Sequence, residues 1–329
     1  MRALQIKNQT CTPVFLDIEV PSISPKQVLV KTKACGLNFA DLLMIKGSYQ
    51  ETPPLPFVPG MEIAGNVVAV GHEVVGFKVG DRVAAFPGYG GLAELCAVDI
   101  SRCLKIPKNL SYKTAASVLI SYGTSHLALT HRAKIKSGEN LLVLGAGGGV
   151  GLTAIEIGVA LGARVIAVAR GRNKLDICKK YGAEIALDST DDDILSTVKN
   201  LGGANIIYDP VGGNSFLTAL RCCKPEARYL IIGFASGDIP QIKANHLLLK
   251  NIDIIGFNWG GYLSFEPEIL ASSLKKILKL VANKTLKPHI SRVYDFNQAL
   301  EALGHLQARK SIGKLIVRGP NTKFRSTIV

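Results

Sequence analysis

The hydrophobic pattern between Leu141 and Ala169 changes period twice. LLVL is a continuous apolar run, GAGGGVG is a glycine cluster, LTAIEIGVALGA carries apolar residues at helical spacing, and RVIAVA returns to a run rich in Val and Ile. That order predicts strand, tight turn, helix and strand, the βαβ unit of a parallel sheet. Before it, from Met1 to about Val118, the runs are short and strand-like (VLVKTKACG, GMEIAGNVVAVG, DRVAAF) and are punctuated by Pro and Gly, with PPLPFVPG as a rigid loop and a short helix around Asn38 to Ile45. At SYKTAASVLISYGTSHLALTHRA the texture becomes helical, with Ser111 as N-cap and Gly123 marking a break between two helices.

After Ala169 the pieces LDICKKYGAEIALD, DDDILSTVKNL, ANIIYDPVGG, SFLTALRCC, ARYLIIGFAS and IDIIGFNWG alternate between helix and strand, which predicts a doubly wound parallel sheet. IDIIGF, at its end, is a candidate edge along which two subunits could join their sheets. Beyond Gly260 come a long helix, PEILASSLKKILKLVANKTL, a helix around Asn297 to Gln307 and a strand GKLIV. These are too few elements for a separate core, so the segment is expected to pack back on the N-terminal part. The expected division is residues 1–118, 119–257 and 258–329, the last completing the first, with GPNTKFRSTIV as a polar tail.

Composition supports this picture. The 329 residues are 47% hydrophobic but only 6% aromatic, as suits buried parallel strands covered by helices. The net charge of +14 comes from Lys and Arg scattered in ones and twos, without a basic block interleaved with aromatics, so nucleic acid is not an expected partner, whereas an anionic cofactor gains from the field. No apolar run reaches the roughly 18 residues of a membrane span, and MRALQIKNQT lacks the apolar core of a secretory signal, so no membrane association and a cytoplasmic location are expected. Seven cysteines (Cys11, Cys35, Cys96, Cys103, Cys178, Cys222 and Cys223) form no C-x-x-C pair and read as packing residues.

The glycine cluster carries the first chemistry. Ala146, Gly148 and Gly151 hold the three positions of a G-x-G-x-x-G fingerprint, surrounded by Gly145, Gly147, Gly149 and Val150. Such a turn lets backbone approach a diphosphate, and the helix N-terminus behind it favours the anion, so a dinucleotide is the expected ligand. The end of the second strand selects the dinucleotide. An acidic residue there would accept ribose hydroxyls and repel a phosphate, but this chain has Arg170, Arg172 and Lys174, which favours NADPH, with Arg170 as the candidate for a bidentate phosphate contact. A solvated basic helix start is the other reading.

Seven separated stretches, KACGLNFADLLMIKGSYQ, PFVPGMEIAGNVVAVG, GFKVGDRVAAFPGYGGLAEL, VLGAGGGVGLTAIEIGVALGARVIAVA, YDPVGG, IIGFASG and SIGKLIV, together resemble the zinc-independent NADPH:quinone oxidoreductases of the medium-chain dehydrogenase/reductase superfamily. The resemblance implies a GroES-like β-rich catalytic domain with an inserted Rossmann domain and a cofactor cleft between them. Where zinc-using relatives have C-G-x-C-H-x-D, this chain reads Cys35-Gly36-Leu37-Asn38-Phe39-Ala40-Asp41, and where they have G-H-E it reads Gly60-Met61-Glu62. A thioether is a poor ligand for catalytic zinc and the four-cysteine lobe is missing, so no metal is expected. Without a Lewis acid, the expected acceptor is already electrophilic, a quinone or an α,β-unsaturated carbonyl.

By the same resemblance, Asn38 and Tyr49 face the acceptor, Asn38 donating an amide hydrogen bond to the carbonyl oxygen and Tyr49 donating or relaying a proton. Helix capping for Asn38 and loop packing for Tyr49 are the plain alternatives. Tyr122 and Thr124 are implied at the nicotinamide end, Asn258 and Lys314 near the cofactor, and a homodimer through the Rossmann sheet edge. His126 reads as a packing residue. Asp209 to Gly213, and Gly233, Phe234 and Ser236 after the next strand, sit where strands of a doubly wound sheet end and ligands bind. An enoyl-thioester reductase, or an NADPH-binding protein with little turnover, remains open.

Overall fold

A computed structural model describes residues 1–8 and 12–320, so Cys11 and all but the first two residues of the closing polar stretch lie outside it. The chain divides into two units, Met1–Ile120 with Ile290 onward, and Ser121–His289. The first contains β1 (Arg2–Gln5), β2 (Val14–Asp17), β3 (Gln27–Leu37), α1 (Phe39–Ile45), β4 (Glu62–Val70), β5 (Arg82–Ala85), β6 (Leu95–Asp99), β7 (Cys103–Lys105) and α2 (Tyr112–Ala115). The division falls inside α3 (Leu119–Leu127), after which come β8 (Asn140–Val143), α4 (Gly149–Ala160), β9 (Arg164–Ala169), α5 (Arg172–Lys180), β10 (Ile185–Asp188), α6 (Ile194–Asn200), β11 (Ala204–Asp209), α7 (Asn214–Cys222), β12 (Cys223–Ile231), α8 (Ala244–Leu248), β13 (Asp253–Gly256), α9 (Tyr262–Phe265) and α10 (Pro267–Ala282). β14 (Ile290–Tyr294), α11 (Ala299–Gln307) and β15 (Lys314–Arg318) rejoin the first unit.

The long strand β3 organises the first unit. It pairs with β4 along nearly its whole length, while its other side is shared between β6, opposite Gln27 to Lys31, and the returning β15, opposite Ala34 to Leu37. The chain's last strand thereby completes a sheet laid down near its start, in the order β14-β15-β3-β4-β5-β7. Val28, Val30, Leu37, Ile63, Val83, Leu315 and Val317 fill the core, closed by Leu303 of α11. This arrangement puts the residues just after β3, at the start of β4 and at the start of β15 side by side.

The second unit is a six-stranded parallel sheet in the order β10-β9-β8-β11-β12-β13, the doubly wound arrangement that the alternating pattern predicts. Among the described residues β13, from IDIIGF, pairs on its β12 side alone and is an edge of this sheet. Among the described residues no helix is long and apolar enough to cross a membrane.

Two expectations change. Gly123 does not break a helix: α3 runs through it, and glycine is needed because a Cβ there would stand 2.6 Å from the Trp259 indole nitrogen. The regular helix gives way later, where Ala133 donates its N–H to the Ala128 carbonyl and the turn widens. The return to the first unit also begins at Ile290, not at 258, because α10 buries Leu270, Leu274, Ile277 and Leu278 inside the second unit. His126 on α3 is fixed there, its Nδ1 2.8 Å from Ser273 Oγ on α10, and burial first, then Lys276, pulls its pKa down to about 4.

Candidate active site

The glycine turn lies between β8 and α4. The left-handed conformation falls on Gly145 (φ 56°), whereas Ala146 is buried and donates its N–H to the Val168 carbonyl of β9, which explains how the fingerprint tolerates a methyl group at its first position. Gly151 is required by close packing: a Cβ there would stand 2.4 Å from the Gly145 carbonyl oxygen and 2.7 Å from Ala146 Cα. Gly151→Ala is therefore expected to cost about 1–3 kcal/mol and lower the melting temperature by several degrees, and an unchanged thermal unfolding curve would contradict this packing. The first-turn N–H groups of α4, around Gly149, Val150 and Gly151, have no upstream helical carbonyl to bond and suit an anion. A diphosphate fits this cradle.

The basic residues after β9 separate into different roles. The stem of Lys174 lies across the turn, since a Cβ on Gly147 would meet three of its carbons at 2.9 Å. Arg170 is exposed directly after β9, and Arg172 turns to the outer face, where it pairs with Asp176 at 3.1 Å. Lys174 therefore stands ahead of Arg172 as the companion of Arg170. A carboxylate that sequence reading missed lies next to them. Asp188, at the end of β10, accepts the N–H groups of Thr190 and Gly171 and the Thr190 hydroxyl, and these bonds, with the nearby charge of Arg170, hold its pKa below the usual range. It ties the Arg170–Gly171 corner to the neighbouring strand.

At the carboxyl end of the same sheet, Asp209 accepts from the Val211 and Gly212 N–H groups and from the Tyr229 hydroxyl, which builds the DPVGG turn. The loop with Gly233, Phe234 and Ser236 is laced to it by Ala235 N–H to Pro210 O and Ser236 N–H to Val211 O. Ser236 Oγ accepts the Asp238 N–H, so this hydroxyl serves its own loop. Asn258 is exposed in the turn after β13, and Thr124 is buried on α3. Tyr122 is buried and its hydroxyl donates to Glu156 of α4 at 2.5 Å, and Glu156 also accepts the Lys287 N–H. The side chain clamps α3, α4 and the segment after α10 together.

In the first unit a buried polar cluster forms where β3, β4 and β15 meet. Asp41 on α1 is completely buried and accepts three backbone N–H groups, those of Asn38 at 2.8 Å, Gly60 at 3.0 Å and Met61 at 3.1 Å. Burial raises its pKa to about 6 despite these bonds and the Lys314 charge, all of which act to lower it. Glu62 is equally buried and accepts from Lys314 Nζ at 3.0 Å, Asn38 Nδ2 at 3.3 Å and the Ile120 N–H at 3.2 Å. Asn38 caps α1 in the extended conformation, its Oδ1 accepts from Lys314 at 2.7 Å, and its Nδ2 donates to the Gly36 carbonyl at 3.2 Å as well as to Glu62.

Both residues of this pair are already engaged within the protein. Each amide hydrogen of Asn38 already has a protein acceptor, so it donates to a bound acceptor only by yielding one of these bonds. Lys314 is bonded to Glu62 and Asn38 inside its own unit. Glu62 and Asp41 are the residues that sequence reasoning misses: each appears there only as the last letter of a stretch compared with a zinc motif. The shared D-and-E spacing was no signal, because β15 contributes the lysine from the far end of the chain.

Tyr49 follows α1 and packs against the cluster of Ile6, Met44, Phe57 and Met61. It lines a cavity of about 250 Å³ together with Met44, Thr52, Met61, Tyr89 and Arg102. Burial raises its pKa, with Glu51 and Asp41 adding to the effect, so the hydroxyl stays protonated and can donate. Among the described residues no three His, Cys, Asp or Glu side chains gather as a metal site. The described cysteines are buried, and burial pushes Cys96 up to about 12 and Cys222 up to about 11, which suits packing rather than nucleophilic chemistry.

A six-stranded doubly wound sheet with a glycine turn, set within a chain whose first and last strands build a β-rich unit, defines a medium-chain dehydrogenase/reductase. Residues 24–108 match the family described as alcohol dehydrogenase GroES-like domain, and residues 149–282 that described as zinc-binding dehydrogenase. The chain is 41% identical over 308 residues to the quinone oxidoreductase-like protein 2 homolog of Nematostella vectensis, covering 92% of this chain and 83% of the relative. Among solved structures it resembles the quinone oxidoreductase of Pseudomonas syringae (TM-score 0.90, 29% identity, 96% and 99% of the two chains). It also resembles that of Thermus thermophilus, described with its NADPH complex (TM-score 0.85, 32% identity, 97% and 100%). The chain belongs to the zinc-independent quinone oxidoreductase family of this superfamily, and by that membership is an oxidoreductase.

Proposed function

We propose that the protein transfers hydride from NADPH to a quinone or another α,β-unsaturated carbonyl, without zinc. The observation that carries this reading is the donor set around α1 and β4. Asn38 and Met61 stand where metal-using relatives carry ligands, and neither an amide already bonded to a lysine ammonium nor a thioether is a good ligand for catalytic zinc. Hydride acceptance must then be favoured by the acceptor's own conjugation.

The glycine cradle would hold the diphosphate, Arg170 and Lys174 would meet the 2′-phosphate, and bound NADPH would supply the hydride. The Tyr49 hydroxyl, kept protonated by its surroundings, would donate to the acceptor oxygen as negative charge grows there. The NADPH complex of the Thermus thermophilus relative supports the choice of nucleotide. The β13 edge would join a second copy in a homodimer, and the cytoplasm is the proposed location.

The test is steady-state NADPH oxidation with a panel of quinones, enals and enoyl-thioesters, with NADH as control. Turnover with quinones or enals and a preference for NADPH is the expected result. Turnover confined to enoyl-thioesters would make the protein a thioester reductase, and nucleotide binding without turnover would make it a binding protein.

A further inference from the structure

Lys314 is the part of the buried cluster that hydride transfer, as described above, leaves without a role. It stands at the start of β15, is 4% exposed, and places its ammonium 3.0 Å from Glu62 Oε2 and 2.7 Å from Asn38 Oδ1. Stability is a poor reason for such a pair, because a buried ion pair rarely outperforms well-packed apolar residues of the same size. What the pair supplies is direction. An ammonium only donates and a carboxylate only accepts, so the amide of Asn38 can sit between them in one orientation, oxygen toward Lys314 and nitrogen toward Glu62. Turning the amide over would set N–H against N–H and oxygen against oxygen.

The two ends of the amide are also held unequally. The bond from Lys314 is short, whereas the two that Nδ2 donates, to Gly36 O and Glu62 Oε2, measure 3.2 and 3.3 Å. We propose that Lys314 is a positioning residue that acts through Asn38. Its ammonium anchors and polarises the amide oxygen, and the loosely held nitrogen gives up one bond to donate to the acceptor's carbonyl oxygen as that oxygen becomes negative. Pull on the amide oxygen makes the N–H a stronger donor, and the fixed cation needs no reorganisation at the moment of reaction. Glu62 keeps the cation buried in place. The kinetic part of this inference rests on the proposed hydride transfer, and the positioning part does not.

The experiment uses the full chain in two variants. Lys314→Met removes the cation. Lys314→Gln combined with Glu62→Gln replaces the ion pair by a neutral one and guards against a misfolded single variant left with a buried unpaired carboxylate. In protein labelled with ¹⁵N-asparagine, the Asn38 side-chain amide, assigned by its loss in Asn38→Asp, is expected to be displaced from the free-amide position and slow to exchange. In both variants it should move toward the free-amide position and exchange faster, and an unchanged resonance overturns the positioning.

For turnover, kcat is expected to fall about 10-fold with the apparent KM for NADPH unchanged, less than the loss when an oxyanion donor is removed outright. The loss should grow as the acceptors become less electrophilic. An equal loss across all acceptors, or a change confined to KM, overturns the polarising role. If the unmodified chain turns over no acceptor, the proposed function fails, and the amide resonance alone decides whether Lys314 positions Asn38.

Discussion

Replacing both Arg170 and Lys174 by alanine is expected to raise the apparent KM for NADPH about 100-fold while changing that for NADH less than about 3-fold, because a charge-assisted contact to phosphate contributes roughly 1.5–3 kcal/mol and 1.4 kcal/mol is a factor of ten. Arg170 is exposed, which places its single effect at the lower end, near 10-fold. Lys174 is expected to match it, since its stem already lies on Gly147 and little side-chain freedom remains to be lost on binding. Arg172→Ala should change little, its charge being shared with Asp176 on the outer face.

Asp188 sharpens the test. It brings a carboxylate to the same corner, so in the double variant, with the cations gone, a 2′-phosphate would face net repulsion. An NADPH:NADH ratio that stays constant in the double variant removes these residues from phosphate recognition. Steady-state kinetics at fixed ionic strength measure it, because the contribution of exposed cations falls with added salt.

The proposed nucleotide-binding residues are readable in the sequence because they are local. The glycine turn, the strand before it and the cations after β9 lie within one βαβ unit, and the period change from strand to helix is written in consecutive residues. Even there only structure separates Lys174 from Arg172, since two residues on one helix differ in direction by more than half a turn. The buried polar cluster of the first unit depends on long-range pairing. Lys314 meets Asn38 and Glu62 only because β15 returns to pair beside β3, and no periodicity in residues 35–62 announces a partner more than 250 positions away.

Resemblance singles out Lys314 and Asn38, but that the two bond each other and Glu62 is visible only in the fold. Gly123 shows the same limit in reverse. A glycine inside a helical pattern reads as a break, yet it is there for the Trp259 ring, a contact that only tertiary structure creates. The return of the chain was misplaced for a related reason: the long helix after Gly260 has an apolar stripe, and such a stripe says that a helix packs, not against what.

Asp41→Ala is expected to destabilise the protein by about 3–5 kcal/mol, because it removes the acceptor of three backbone N–H groups in a buried site and leaves Lys314 with one carboxylate fewer. The loop from Gly60 to Met61 is then no longer tied to α1, and Met61 on the cavity beside Tyr49 loses its fixed position. Asp41→Asn separates the charge from the bonds. It keeps an acceptor for Gly60 and Met61 but presents an amide nitrogen to the Asn38 N–H.

The charge effect has a definite sign. Asp41 has its pKa raised from 3.8 to about 6 on folding, so the folded state holds the proton more tightly than the unfolded chain. Its contribution to stability is therefore fully present below the unfolded value and is lost as pH rises through about 6, a change of order 2–3 kcal/mol. His126 works in the opposite direction over an overlapping range, because its folded pKa of about 4 makes the protein lose stability as pH falls below 6.5. The bare pH profile of the wild type is thus flattened, and the difference between wild type and Asp41→Asn isolates the carboxyl.

That difference, measured by urea unfolding followed by circular dichroism, should shift toward the variant as pH rises from 4 to 7, and a constant difference would contradict the raised pKa. Lys314 gives a further check on the same group. Its charge opposes the effect of burial at Asp41, so Lys314→Met should raise the Asp41 pKa further and displace the window to higher pH. Coupling of this kind makes the lysine, the amide and the two carboxylates one electrostatic unit, in which moving a proton on Asp41 alters the field that orients Asn38.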